Sequence, residues 1–212
     1  MPNSTFYNLP EAKRKRLMDA VWQEFTTVSY MDASINKIIQ NADISRGSFY
    51  QYFSGKADVF SYVLHTILDT AKDMFLAQLT AHSNNLFDAI LGMYDLILWQ
   101  KSRNQRNLDL DRIRTLIKLN AELDISQFTE YIDCDAGAKN IKDLLAISGY
   151  TLETPLECHA LIHMLASIAL SNLTDNLRHP NNEGRNRQLL EQQLELIRRG
   201  LPRLQKEGTT TC

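Results

Sequence analysis

Apolar residues along the chain recur at intervals of three and four, and no stretch alternates with the period of two that a half-buried strand requires. A start signal at Asn8-Leu9-Pro10-Glu11, with Asn8 as N-cap, predicts a first helix. Leu17, Val21 and Phe25 form its inner stripe, and it ends near Ser29. Ile35, Ile38, Ile39 and Ala42 then mark the buried face of a short helix, with Ser34 placed to cap it. Asn36, Lys37, Gln40 and Asn41 take the other side. Asp43-Ile44 breaks the pattern, because Asp tolerates turn geometry better than most residues. Ser45 is the next cap. Phe49 and Phe53, four apart, share the inner face of the helix that follows, which turns Arg46, Gly47, Ser48, Tyr50 and Gln51 outward or toward the rim. Ser54-Gly55 precedes a long helix from about Lys56 to Leu79, with Val59, Phe60, Val63, Ile67 and Leu68 on its inner side.

Further helices are predicted from about Leu86 to Lys101, Leu108 to Leu123, Phe128 to Ser148 and Pro155 to Leu177. In a last helix Leu190, Leu194, Ile197, Leu201 and Leu204 repeat at 4-3-4-3 spacing, the seam of a helix lying at a shallow angle on other helices. Pro202 should bend or end it. The pattern leaves open whether that seam fills the core of one chain or joins two. The expectation is an all-α protein without internal repeats, with a three-helix domain over residues 1–55 and a larger helical domain over 56–212.

Two short helices joined by a tight turn present the second helix as a DNA major groove requires. Arg46 stands at a helix N-terminus, where the dipole favours an anion, so a phosphate or a guanine edge is the natural partner. Gly47 weakens its helix by ~1 kcal/mol relative to Ala, a cost explained if another molecule comes close to the backbone.

The segment Ser34 to Lys56 resembles the DNA-binding signature of the TetR family of bacterial transcription regulators. The likeness is carried by Ser34, Ile38-Ile39, Ala42-Asp43-Ile44, Ser45-Arg46-Gly47-Ser48-Phe49-Tyr50, Tyr52-Phe53 and Lys56. With the preceding helix it covers roughly the first quarter of the chain. Ile39 stands where that family usually has Ala, and Asp43 where it usually has Gly; neither lies on the outward face. The resemblance implies a helix-turn-helix domain followed by an effector-binding and dimerisation domain, acting as a homodimeric repressor of a pseudo-palindromic double-stranded operator released by a small molecule. It implies phosphate contacts from Ser34, Tyr50 and Lys56. It implies base reading by Arg46, Ser48 and Gln51, with Gly47 permitting close approach. Tyr52 and Lys37 join the DNA-facing set, with packing as the other reading of Tyr52 and a solvated face as that of Lys37 and the Lys13–Arg16 run. The family's dimer interface falls on the last two helices, here on Leu161, Leu165, Ile168, Leu190, Leu194, Ile197 and Leu201. A regulator of the same fold without a ligand, architectural or protein-recruiting, and an activator are the alternatives.

Composition adds bounds. The chain has 212 residues, 44% hydrophobic and 23% charged, and a net charge of −2. A DNA binder of this balance must concentrate its positive charge. Lys13, Arg14, Lys15, Arg16, Lys37, Arg46 and Lys56 lie in the first quarter. The polar, basic start shows no signal peptide and no apolar run approaches ~18 residues, so neither export nor a membrane span is expected. Cys134, Cys158 and Cys212 are isolated and odd in number, which suits free thiols in a reducing cytoplasm rather than disulfides or zinc. His159 and His163, four apart, lack a third ligand and read as a packed or interface pair. With no Gly-rich phosphate loop and no serine nucleophile motif, no catalytic residue, metal or cofactor is assigned. The large apolar groups of the middle helices, Met74, Phe75, Met93, Tyr94, Trp99, Phe128, Tyr131 and Met164, are the candidates for lining an effector pocket, with plain core as the other reading.

Overall fold

The computed structural model describes residues 2–99, 107–123, 145–146 and 149–201, and every regular element among them is helical. In chain order these are α1 (Ser4–Tyr7), α2 (Glu11–Phe25), α3 (Ile35–Ala42), α4 (Arg46–Tyr52), α5 (Lys56–Ala81), α6 (Leu86–Trp99), α7 (Leu108–Leu119), α8 (Pro155–Arg178), a 3-10 turn (Pro180–Asn182) and α9 (Glu183–Gly200). The helix predicted for Phe128 to Ser148, and Cys134, Leu204, Pro202 and Cys212, lie outside the described residues or almost entirely so. Two compact units emerge, one from Met1–Lys72 with Gln100–Tyr131, the other from Asp73–Trp99 with Ile132–Cys212.

The first unit has one aromatic-rich core. Leu17, Val21 and Phe25 of α2 meet Ile38 and Ala42 of α3, Phe49 and Phe53, and Val59, Phe60 and Val63 of α5, all essentially without solvent exposure. Each such side chain contributes about 1.5–3 kcal/mol by leaving water. The predicted stripes are therefore the buried ones. Leu116 of α7 joins the same core.

Two helix starts differ from expectation. Asn8 does not cap α2: its N–H closes the turn of α1 on the Ser4 carbonyl, and α2 begins behind Pro10, whose carbonyl accepts from Lys13 and Arg14. The four-residue α1 had no apolar period long enough to reveal it. Phe6 of α1 is fully buried, its ring 5.2 Å from those of Phe53 and Tyr62.

In the second unit, α8 opens with a capping box. The Thr154 hydroxyl accepts from the Glu157 N–H, and the Glu157 carboxylate accepts from the Thr154 N–H. Polar side chains tie its helices together. Arg187 of α9 donates twice to Asp95 of α6, both at 2.9 Å, and this bonding holds the guanidinium above its ordinary pKa. Asn176 donates to the Tyr94 hydroxyl at 3.2 Å and Asn172 to Gln193 at 2.8 Å, so these buried amides are satisfied.

Among the described residues of the 4-3 seam, Leu190 and Leu194 belong to the core of one chain. Leu161, Leu165, Leu190 and Leu194 are buried among α6, α8 and α9, at most 4% exposed, and leave little surface for a second copy. In the single chain these four leucines of the expected dimer interface are turned inward. Ile168, Ile197 and Leu201 are half-buried. The exposed apolar positions are others: Leu156, Met164 and Leu170 on α8, Leu189 and Leu196 on α9. By length and composition α8 also reaches the level of a membrane-crossing helix, with mean hydropathy 1.3 over an 18-residue window, 28% of it buried. No single run announces this, because apolar residues occupy both its inner and its outer face.

Candidate nucleic-acid interface

The turn between α3 and α4 is built on the residue that departs from the family pattern. Asp43 sits in the left-handed region, at φ 52° and ψ 54°. Its N–H donates to the Gln40 carbonyl and that of Ile44 to the Ile39 carbonyl, both at 3.2 Å. This is the paired bonding of a Schellman helix end, in which the residues at the positions of Ile39 and Ile44 are commonly apolar. Both side chains are partly buried against the core.

Beyond the turn, Ser45 caps α4 as its sequence position predicts. Its Oγ accepts from the Ser48 N–H at 3.0 Å and shares a hydrogen bond with the Ser48 hydroxyl at 2.9 Å. Phe49 and Phe53 are fully buried, their centroids 5.8 Å apart. That anchors the inner face and leaves Arg46, Gly47, Tyr50 and Gln51 exposed, with Ser48 and Tyr52 half-buried. Arg46 donates to the Asn36 side chain at 3.1 Å, and its guanidinium lies 5.6 Å from the Tyr50 ring centre. These contacts hold a long side chain extended across the outward faces of α3 and α4. A Cβ at Gly47 would meet nothing nearer than the Ser45 Oγ at 3.8 Å. The chain itself leaves room for a methyl group there, so the protein's own packing gives no reason for glycine.

The far end of α4 is held by α1. Both Asn3 Nδ2 and the Thr5 hydroxyl donate to the Gln51 carbonyl, and the Asn3 N–H donates to the Tyr52 carbonyl at 2.9 Å. These bonds satisfy carbonyls that a helix end leaves open. Tyr52 packs against the core, whereas Tyr50 is 40% exposed.

Ser34 and Lys56 have unexpected partners. Ser34 precedes α3 but makes no side-chain cap; its N–H donates to Oε1 of Glu24 at 2.8 Å. Glu24 is only 5% exposed, on the inner side of α2. Lys56 donates to the Met31 and Ala33 carbonyls at 2.9 and 3.2 Å, and its ammonium lies 4.9 Å from the Tyr30 ring centre. Two of its three donors are thus committed to the loop before α3. Lys37 is exposed. Arg16 lies 3.8 Å from Asp43 across the surface.

The remaining candidates are dispersed. Met74, Phe75 and Met93 are half-buried, Tyr94 is buried and bonded to Asn176, and Met164 is exposed. Phe128, Tyr131 and the Trp99 side chain lie outside the described residues. None of the described candidates lines the ≈ 540 Å³ cleft of the second unit, whose walls include His82, Asn85, Asp88, Tyr150 and Arg198. His159 is half-buried with Nε2 enclosed, and His163 is exposed. Among the described residues no three His, Cys, Asp or Glu side chains cluster as metal ligands would.

Residues 17–63, which span α2 to the start of α5, match the family model TetR_N, bacterial regulatory proteins of the tetR family. This stretch is a DNA-binding domain of the TetR family. Its curated relatives are likewise transcriptional regulators, not enzymes. The helix-turn-helix regulator SrpR of Pseudomonas putida is 35% identical over 54 residues, 26% of this chain and 25% of that one. HbdR of Aromatoleum sp. (strain CIB) is 29% identical over 119 residues, 52% of each chain. The chain thus spans between a quarter and about half the length of these relatives. The all-helical TetR fold extends further. A TetR-family regulator from Pectobacterium atrosepticum aligns over 92% of this chain and 97% of its own, with a TM-score of 0.60 at 16% identity. NalD of Pseudomonas aeruginosa, described as the secondary repressor of the MexAB-OprM multidrug efflux pump, aligns over 91% and 97%, with a TM-score of 0.56 at 21% identity.

Proposed function

We propose that this chain is a homodimeric transcriptional repressor that binds a pseudo-palindromic operator through α4 and is released by a small-molecule effector. Residues 1–55 read DNA, and residues 56–212 bind the effector and dimerise. The observation that carries the reading is the outward face of α4. Arg46, Gly47 and Gln51 are exposed on a helix locked at both ends, and Gly47 keeps a clearance that none of the described residues uses. Arg46, Ser48 and Gln51 read base edges. Ser34, Lys37, Tyr50 and the remaining donor of Lys56 meet phosphates. Tyr52 serves chiefly as packing.

Dimerisation uses the outer apolar positions of α8 and α9, Met164, Leu170, Leu189 and Leu196, in place of the inward seam. A two-fold dimer sets its reading helices ~34–36 Å apart, or a multiple, to enter successive major grooves. An effector that binds one spacing better than another then shifts the equilibrium between bound and free DNA. The protein acts in the cytoplasm.

Selection of duplexes from a random pool tests this reading. Wild-type protein should enrich a pseudo-palindrome. Arg46→Ala should lose roughly 5- to 150-fold in discrimination between that duplex and random DNA, the loss of a good base contact. Enrichment of no sequence by the wild type, or undiminished discrimination by Arg46→Ala, overturns it.

A further inference from the structure

The loop from Tyr30 to Ala33, between α2 and α3, is gripped from four directions. Tyr30 donates its N–H to the side-chain oxygen of Asn120, 90 residues along the chain, at 2.7 Å. Its ring stacks on Phe60 with centroids 4.7 Å apart. Lys56 holds the Met31 and Ala33 carbonyls, and Glu24 holds the next N–H, that of Ser34. Two elements start from this loop or against it. Ser34 leads into α3, whose left-handed end sets the entry to α4, and Lys56 is the first residue of α5.

Asn120 is fixed from its own side. It is the C-cap of α7, and its Nδ2 donates to the Leu116 carbonyl at 3.0 Å. A carbonyl only accepts and a backbone N–H only donates, so both ends of the amide are determined: nitrogen to Leu116, oxygen to Tyr30. Leu116, four residues back, is buried in the core. The oxygen therefore comes from a rigid support.

We propose that Asn120 is a positioning residue for DNA binding: by holding the Tyr30 N–H it fixes the loop that carries α3 and braces α5, and so the way α4 is presented. The proposal rests on the DNA-binding reading above. Asn120 meets no DNA; it acts through Tyr30. A displacement of α7 would reach this loop through the Asn120–Tyr30 bond as well as through Leu116 in the shared core.

The test separates the amide's two ends. Asn120→Ala removes both bonds. Asn120→Asp keeps an acceptor for Tyr30 but loses the donor to Leu116 and adds a negative charge at a helix C-terminus, which costs stability. Three readouts are taken on the full chain: Tyr30 amide hydrogen exchange, urea stability, and affinity for a duplex selected by the wild-type protein. Asn120→Ala should lose Tyr30 protection and bind that duplex roughly three- to tenfold more weakly. Asn120→Asp should be less stable than wild type yet keep Tyr30 protection and affinity. If Asn120→Ala does not fold, Asn120→Ser, too short to reach Tyr30, replaces it. Unchanged affinity in a variant whose Tyr30 amide has lost protection overturns the proposal. So does affinity that follows stability in both variants. If the wild type selects no duplex, the DNA-binding reading fails, and the exchange data still report separately whether Asn120 holds the loop.

Discussion

Replacing Asp43 with glycine should stabilise the protein, although it deletes an ion pair. An L-residue in the left-handed region gives up about 1–2 kcal/mol, with Asp toward the lower end because its side chain bonds locally. Asp43 has that conformation, at φ 52°. It also places a carboxylate at the C-terminus of α3, where the dipole disfavours it by about 0.3–1 kcal/mol. Against these gains stand two losses. Glycine enlarges the unfolded ensemble, which costs about 0.4–1 kcal/mol. The Arg16–Asp43 pair disappears, but at 3.8 Å, with side-chain exposures of 50% and 90%, it lies at the low end of the ~0–1 kcal/mol range for surface pairs. The balance is a gain of about 0.5 kcal/mol. Urea unfolding should show a higher midpoint at unchanged slope. Asp43→Ala, which also removes the carboxylate but keeps the Cβ in the left-handed region, should leave the midpoint at or below that of the wild type. If the glycine variant is destabilised, or the two variants move together, the strain argument fails.

Lys56→Ala should cost about 1–2 kcal/mol, since two charge-assisted bonds to loop carbonyls are lost at a half-buried site. It should also reduce the salt dependence of DNA binding by about one unit of slope, measured by titration at several ionic strengths; an unchanged slope would leave Lys56 as a loop staple alone. Leu196→Glu combined with Leu170→Glu should yield a folded monomer in sedimentation, because both side chains reach solvent in the single chain. Leu190→Glu, at a fully buried position, should instead unfold the second unit, and a folded dimer carrying it would contradict the placement of the seam.

Periodicity made the local arrangement of the reading helices legible. Phe49 and Phe53 are paired and buried, Ser45 caps, and Asp43 turns the chain, because each depends on neighbours within five residues. What escaped was long-range and polar. Glu24 carries no sequence signal of its own, yet its carboxylate is buried to receive the Ser34 N–H. Asn120 falls inside the helix predicted from Leu108 to Leu123, and nothing in its neighbourhood names Tyr30. A hydrogen bond across 90 residues leaves no period in the sequence. The direction of the C-terminal seam escaped for a different reason. A 4-3 repeat identifies a face that packs on helices without saying whose, and here the chain supplies its own partners.

The attachment of α1 to the end of α4 has a practical consequence for anyone producing this protein. Asn3 and Thr5 bond directly to carbonyls of the last turn of the reading helix, and Pro2 is already buried. Any affinity tag or linker joined ahead of Asn3 must leave from beside that turn, within a few residues of Tyr50 and Gln51. Purification handles placed there would crowd the outward face of α4 and weaken apparent affinity.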